Sequence, residues 1–553
     1  MEYFDYLIPE GMKIEPGALL FVPFRKSQIV ALAVSILKSS PFASRAKAVT
    51  STYADIKLPI TSIALLDWIA KHTFTSRPAV LKAWLRDLPK RPSVIPSEVE
   101  GTSKLSRQAR KDRRGQLSAT WDIDHQAKMI EAAKKLLADG KRVLIISPWK
   151  PRTETLRERM EQGTVLHSDL NAGDAFRAWT GFLSGETKLM ITTRVGSWMA
   201  PLADAILIDE PENDDHKQDE MAPRYDARKI AIWCAEHAGS DVHAFGLTPP
   251  LHVDDAAPEI ACELEILIRH PNGHSPVPCI QAETLNRLIA HERPTVVFHP
   301  VKGDIARLTC RDCGWQPICK NCEFTLSSES TYAICRRCGT KADLPLDCAD
   351  CGGTDLGKSL PGIDRLKLTW SKKVEEAAPD WRSVSVADLE REFLRETLIV
   401  VTDPNLLGPA EDVRRQEKLA VTFRRLANRI RQAEGFLLIQ TQPEHEGLWR
   451  EWLTTIGFNA WREKERAERK VFGYPPAMKL IKIIAEHEKP LVQLESFGEL
   501  RGPFQVPFRP KSRKNRYIWL LSPHSPMNDE LMQKLHSLSK TALIDLDPIA
   551  FFR

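Results

Sequence analysis

Eight of the eleven cysteines in this 553-residue chain crowd between positions 310 and 351. They form four CxxC pairs: Cys310/Cys313, Cys319/Cys322, Cys335/Cys338 and Cys348/Cys351. No other feature limits the fold of this stretch so sharply. A CxxC knuckle points two thiolates at one metal, and Gly314, Gly339 and Gly352 allow the tight turn that follows. Four knuckles supply two tetrahedral four-thiolate sites, so two structural zinc ions are expected. Disulfides compete with this reading, but nothing at the start of the chain directs it to an oxidising compartment. Repeated redox motifs explain four closely spaced copies poorly. Two pairings are open. Sequential ribbons leave only residues 314–318 between the first two knuckles, which is tight. A nested arrangement gives Cys319, Cys322, Cys335 and Cys338 one zinc across a hairpin (323–334), and the outer four the other; it is preferred. Cys234, Cys262 and Cys279 stand apart and read as core residues.

The rest of the chain is ordinary in bulk. Hydrophobic residues make up 42% and charged residues 27%, which excludes a disordered or fibrous chain. The length suggests three or four domains. No run approaches ~18 uninterrupted apolar residues, so no membrane span is expected. The opening MEYFDYLIPEGMKIEPG lacks a basic head before a long apolar core. No signal peptide is expected, and a cytoplasmic location is. A net charge of +5 does not by itself indicate nucleic acid. Local basic runs are more telling: 107–114, Arg424-Arg425 with Arg429 and Arg431, and 511–516. Each is a candidate for phosphate contact or a solvated face.

Residues 1–60 read as β-rich, with Pro-Gly turns around Pro9, Gly11, Pro16 and Gly17. Residues 61–88 read as helical, and 89–118 as a basic linker poor in apolar residues. From 125 onward helices alternate with buried strands at 142–147, 164–166, 188–192, 205–210 and 242–246. This pattern indicates a parallel α/β sheet. A second α/β unit follows the cysteines, with strands at 397–402 and 435–441, and 470–553 reads as α+β. The segment AILIDEPEND (205–214) is the most suggestive piece of chemistry. A buried strand ends in Asp209-Glu210, as the magnesium-holding strand of a nucleotide hydrolase does.

Several stretches, in order, resemble the PriA family of bacterial replication-restart proteins. They are FDYLIPEGMKIEPGALLFVPF near the start, LHSDLNAGDAFRAWTGFLSGETKLMITTRVG, and ADAILIDEPENDDHKQDEMAPRYDARKIA. The eight cysteines with nested pairing, GFLLIQTQPEH, FGYPPAMKLIKI and the terminal IDLDPIAF complete the set. The resemblance implies a multidomain α/β architecture. Residues 1–88 would be a β-rich domain binding a DNA 3′ end, with a helical tail, and 89–118 a linker. Two RecA-like helicase-type lobes would occupy 119–300 and 359–455. A two-zinc cysteine-rich insertion would fill 301–358, and 456–553 would be a C-terminal domain. The 89–118 stretch is too short and too polar for the family's winged-helix insert.

The departures bear on chemistry. The family's phosphate loop ends in Gly-Lys-Thr; here His125 and Gln126 occupy the Lys-Thr positions and the glycines are gone. No backbone cradle or lysine is left for phosphates, and no hydroxyl for magnesium. The acidic box reads Asp209-Glu210-Pro211-Glu212, and the arginine box of the second lobe keeps only part of its pattern (426–432). The resemblance would imply ATP and Mg2+, and these losses argue against both, leaving Asp209 and Glu210 vestigial. DNA contacts carried over from the family are Phe4, Asp5 and Lys47 at the 3′-end pocket, and Arg224, Tyr225 and Arg228 in the loop behind the acidic box. Arg25 replaces a family glycine beside that pocket. The plainer reading makes Phe4 a core residue at a strand start and Asp5 an exposed acid, while Arg224, Tyr225 and Arg228 fit buried packing and salt bridges as readily as DNA.

The resemblance therefore implies a restart protein that binds abandoned or stalled forks and promotes primosome assembly and helicase reloading, without unwinding DNA itself. Expected partners are branched DNA with a 3′ end, single-stranded DNA-binding protein and helicase-loading proteins, with no membrane. Two other readings stay open: an active ATP-dependent 3′→5′ helicase, and a zinc-ribbon scaffold acting only through protein partners.

Overall fold

The computed structural model describes residues 3–86, 114–269, 275–301, 306–310, 312–313, 315–320, 325–328, 332–335, 340–358, 362–374, 376–389, 391, 393–402, 404, 407, 412–487, 491–505 and 516–549. The chain divides into two compact units. One comprises Met1–Asp255 with Met527–Ile549, the other Ala256–Pro526 with Ala550–Arg553.

The first unit begins with a three-stranded antiparallel sheet in the order Ser27–Leu32, Ala18–Phe24, Ser51–Lys57. The Pro16-Gly17 turn that precedes it needs its glycine. Gly17 sits at φ 97°, in the left-handed region. Its N–H donates to Ala33 O at 2.7 Å, and its carbonyl accepts from Leu58 N at 2.8 Å. A short parallel pair, Tyr6–Leu7 with Lys47–Ala48, flanks this sheet. Two helices, Ile60–His72 and Arg77–Trp84, follow where the sequence reads as one helical tail. Their apolar faces (Leu65, Leu66, Ile69, Val80, Trp84) are buried in one core with Phe176, Trp198 and Ile206 of the following α/β lobe. The Trp84 and Trp198 rings stack at 5.6 Å.

That lobe carries a six-stranded parallel sheet in the order Leu117–Trp121, Asp241–Gly246, Ala205–Asp209, Val143–Ile146, Leu189–Thr192, Thr164–Leu166. Val143–Ile146, Leu189–Thr192 and Ala205–Asp209 are buried at every position. This is why they read as continuous apolar runs rather than alternating ones. The strands expected between 142 and 246 all form, with ends within about a residue or two of the sequence reading.

The second unit has its own parallel sheet, ordered Glu263–Ile268, Phe436–Thr441, Leu398–Thr402, Thr295–His299, Asp380–Ser383. With the first, it supplies the pair of RecA-like parallel sheets. The cysteine-bearing stretch lies between its strands Thr295–His299 and Asp380–Ser383. It folds as a small antiparallel sheet in the order Lys341–Ala342, Ala333–Cys335, Leu326–Ser328, Ala306–Cys310, Leu356–Lys358. An aromatic cluster of Phe423, Trp449, Trp452, Phe458 and Trp461 packs the helices Arg415–Gln432, Glu446–Leu453 and Thr455–Val471 together. The strands Ile481–Ala485, Tyr517–Pro523 and Gly498–Gln505 form an antiparallel set. Residues 527–549, which the sequence reading grouped with this C-terminal region, belong to the first unit.

Among the described residues, no helix is long and apolar enough to cross a membrane. The basic runs 107–113 and 511–515 lie outside the described residues. Arg424, a candidate for phosphate contact or a solvated face, is fully buried. Its guanidinium donates to Pro258 O at 2.8 Å and Trp452 O at 3.3 Å, and lies 4.1 Å from the Phe458 ring centre. Of the three isolated cysteines, Cys234 is buried, while Cys262 and Cys279 are only partly covered.

Candidate functional site

Four cysteines from two distant CxxC pairs come together. The Sγ atoms of Cys310, Cys313, Cys348 and Cys351 lie within 4.8 Å of one another. Cys310 to Cys351 is 3.7 Å, and Cys313 to Cys348 is 3.5 Å. The knuckle turn aims the Asp350 and Cys351 N–H groups at Cys348 Sγ, each at 3.4 Å. Such N–H···S bonds favour a thiolate. These four sulfurs can hold one metal ion, and they are the outer set of the nested pairing. Cys319 and Cys335 are both buried in one small cluster with Leu326 and Ala333. Their expected co-ligands Cys322 and Cys338 lie outside the described residues.

The acidic pair sits where a nucleotide hydrolase would have it, at the carboxyl end of a central parallel strand. Asp209 is completely buried and Glu210 is 2% exposed. Ser147 Oγ donates to Asp209 Oδ2 at 2.8 Å. Between the two carboxylates lies a residue the sequence reading passed over. Arg152, in the first turn of the helix Lys150–Met160, reaches Glu210 Oε1 at 2.6 Å and Asp209 Oδ2 at 3.3 Å with one Nη. The Trp149 ring lies 4.7 Å from the guanidinium and is itself anchored through Nε1 to Asp215 Oδ2 at 2.7 Å. Glu210 takes a left-handed backbone conformation, φ 49°, a strain of about 1 kcal/mol or more. Burial pushes the Asp209 carboxyl upward, with Arg152 opposing the rise and Glu210 adding to it.

His125 and Gln126 face this cluster. His125 Nε2 is 3.7 Å from Glu210 Oε1. The Gln126 amide, with its oxygen toward Arg152, accepts at 3.1 Å. Only residues 122–124 separate the strand Leu117–Trp121 from the helix His125–Ala138. Three residues cannot wrap a phosphate as a glycine-rich loop does. Nothing in the bare sequence marks Arg152, because a single arginine after a strand is common. Only the parallel pairing of Val143–Ile146 with Ala205–Asp209 puts it opposite the acids.

Arg224, Tyr225 and Arg228, carried over as DNA contacts, are each engaged by groups of the fold itself. Arg224 bonds Asp219 O and lies 3.7 Å from Asp545. Tyr225 is buried against Trp198, ring centres 4.8 Å apart, and donates to Arg194 O at 3.2 Å. Arg228 pairs with Asp226 at 2.7 Å and bonds the carbonyls of Pro211 and Asn213. Lys217 reaches Asp545 at 2.7 Å and the carbonyls of Leu546 and Asp547. The loop thus holds the strand Ala542–Leu546 through buried charge.

Elsewhere in this unit, Phe4 and Lys47 are exposed, with Asp5 partly covered beside them. Lys47 is in register with Tyr6, one residue beyond Asp5, and is exposed. Phe4 is 53% exposed, its ring meeting Phe24 edge-on at 5.3 Å. The Arg25 guanidinium lies 5.7 Å from the same Phe24 ring. Arg25 sits at φ 52°, which accounts for a glycine being the easier residue there. Asp5 accepts from Ser40 Oγ, which also accepts from Phe42 N at 3.0 Å. Phe42 is 53% exposed. Ser40, Phe42 and Phe24 join this patch only through the fold; a serine and two phenylalanines in a β-rich stretch carry no signal of their own.

Comparison with known proteins agrees with this picture. A family model described as the 3′ DNA-binding domain (3′BD) of PriA matches residues 1–86. Replication restart protein PriA of Bacillus subtilis (strain 168) is 25% identical over 419 residues, 65% of this chain and 51% of that protein. The chain resembles the PriA family over most of its length. The PriA of Haemophilus influenzae is 24% identical over 506 residues, 76% of this chain and 67% of the relative. That of Synechocystis is 23% identical over 62% of this chain and 49% of its own length. The chain thus matches only about half to two thirds of the length of these PriA proteins.

Behind the acidic pair, His216 gives a pH signature. It is fully buried, and its Nε2–H donates to Asp209 O at 2.8 Å. Burial, with Arg228 nearby, pushes its pKa down to about 4. Between pH 6.5 and about 4 the unfolded chain binds a proton that the folded chain does not, so stability falls as pH drops through that window. From pH 7 to pH 5 this amounts to about 2 kcal/mol. Urea unfolding at the two pH values should show that loss in the wild type, and a loss smaller by that amount in His216→Asn.

Proposed function

We propose that this chain is a replication-restart protein that recognises abandoned or stalled forks through the 3′ end of an arrested strand. It would promote primosome assembly and reloading of the replicative helicase without unwinding duplex itself. One observation carries the reading: Phe4 and Lys47 are exposed beside Asp5, in a segment matching a 3′ DNA-binding domain, while the acidic pair is sealed by Arg152. An exposed aromatic ring offers a stacking face to a terminal base. A carboxylate fixed by Ser40 can accept from a 3′-hydroxyl or a base edge, and an exposed lysine meets backbone phosphate. Hydrolysis would contribute nothing here, because no glycine-rich loop precedes the helix His125–Ala138 and no lysine stands at its first two positions, and loss of even one oriented charge-stabilising group commonly costs a factor of about a hundred or more.

The natural partners are branched DNA with a free 3′ end, single-stranded DNA-binding protein and helicase-loading proteins. The chemistry of the cysteines fits zinc, with Cys310, Cys313, Cys348 and Cys351 as one site and Cys319, Cys322, Cys335 and Cys338 as the second. The two ions would be structural, shaping a surface for DNA or partners. The setting would be the cytoplasm, where the fork is.

Two measurements test this. Binding to a fork with a free 3′-hydroxyl should exceed binding to plain duplex at the same stated salt, with or without ATP. Phe4→Ala should weaken fork binding roughly tenfold, the value of about one stacked base, and leave duplex binding unchanged. Equal affinity for fork and duplex would favour a scaffold that works through protein partners alone. Metal analysis should find two zinc ions per chain, falling to one in Cys313→Ser and to one in Cys335→Ser. Retention of both ions in either variant would rule out the nested assignment.

A further inference from the structure

Both ends of a nucleotide–magnesium site are filled by the protein's own groups. In a nucleotide hydrolase the strand-end acid holds a hydrated divalent cation, and the N-terminus of the helix after the first strand takes phosphate. Here the strand-end acids Asp209 and Glu210 share the Arg152 guanidinium, at 3.3 and 2.6 Å. At the N-terminus of the helix His125–Ala138, the Asp122 carboxylate stands in for phosphate. Asp122 Oδ1 accepts from Asp124 N at 2.8 Å, and Oδ2 accepts from Lys128 Nζ at 2.5 Å. Asp122 is held below the usual carboxylate range, where the Lys128 ammonium and the Asp124 N–H outweigh its partial burial. The residues present therefore do not fit ATP with Mg2+. A phosphate would meet a carboxylate, and a metal would meet a guanidinium.

We propose that Arg152 is a built-in counter-ion replacing the nucleotide's metal, so that the first α/β lobe is held by its own charges and takes neither ATP nor Mg2+. The inference deepens the reading of this chain as a restart protein that does not hydrolyse ATP, and rests on it. A charge pair buried this deeply is costly to break from one side only, because the remaining carboxylates are left uncompensated away from water. Removing the charge from both sides at once is far milder. This asymmetry separates a counter-ion from a merely space-filling arginine.

The test uses the full zinc-loaded chain and two readouts: thermal unfolding, and binding of a fluorescent non-hydrolysable ATP analogue with excess Mg2+. The wild type should bind no analogue, and neither Mg2+ nor the analogue should shift its Tm. Arg152→Ala should lower the Tm markedly, and adding Asp209→Asn with Glu210→Gln should restore most of the loss. Should Arg152→Ala not fold, the neutral triple variant carries the test, and it should fold. An Arg152→Ala protein as stable as wild type, or a triple variant no more stable than Arg152→Ala, would overturn the proposal. So would analogue binding by the wild type that Asp209→Asn abolishes. Fork binding by the same preparations keeps the two readings apart. A wild type that ignores the fork but behaves as above sinks the functional reading alone. Fork binding alongside Asp209-dependent nucleotide binding sinks this inference alone.

Discussion

One guanidinium lies between two carboxylates at the centre of the first lobe. Arg152 comes from the helix that follows one central strand, and Asp209 and Glu210 from the end of the next strand in the sheet. Isolated, each of these charges would be costly to bury; here Arg152 offsets both carboxylates, with Ser147, Trp149 and Gln126 around them. The register of the sheet, the left-handed turn at Glu210 and the seating of His216 beneath the Asp209 carbonyl all converge on this contact. The same parallel architecture that elsewhere opens a crevice for nucleotide here closes on an ion pair.

This arrangement divides the labour of the first unit. Its α/β lobe is a platform, with helices Ile60–His72 and Arg77–Trp84 locked into its core through Trp84 and Trp198. The loop after the acidic box is spent on holding the strand Ala542–Leu546, through Lys217 and Arg224 to Asp545. Its cations Lys217, Arg224 and Arg228 are paired with Asp545 and Asp226. The open chemistry lies at the chain's beginning, where Phe4, Phe42 and Lys47 face solvent beside Asp5. Recognition of a DNA end through such an exposed patch needs no cycle of nucleotide binding and release.

Much of this architecture was legible in the sequence, and the legible parts share a physical cause. Strands such as Ile206–Ile208 and Val143–Ile146 are buried on both faces, so their apolar runs are unmistakable. The Gly17 turn is marked because φ near 97° is open to little else. Residues that act through long-range pairing were not legible. Arg152 looks like any helical arginine until the sheet sets it opposite Asp209. Ser40 is unremarkable until it lies against Asp5, thirty-five positions away in sequence. Arg424 reads as an exposed cation because its neighbours in sequence are basic, yet tertiary packing sinks it among Phe458, Trp452 and Pro258. The paired acids of Asp209-Glu210 were visible from the start; what they pair with was not.

The proposal at stake is that this PriA-like chain reads DNA ends with a motor core that does not perform ATP chemistry. Phosphate release from ATP, measured with purified full-length chain, Mg2+ and a saturating fork bearing a free 3′ end, tests it most directly. The account predicts a rate no higher than that of Asp209→Asn, and no change on adding the fork. Fork-stimulated hydrolysis that disappears in Asp209→Asn would contradict it.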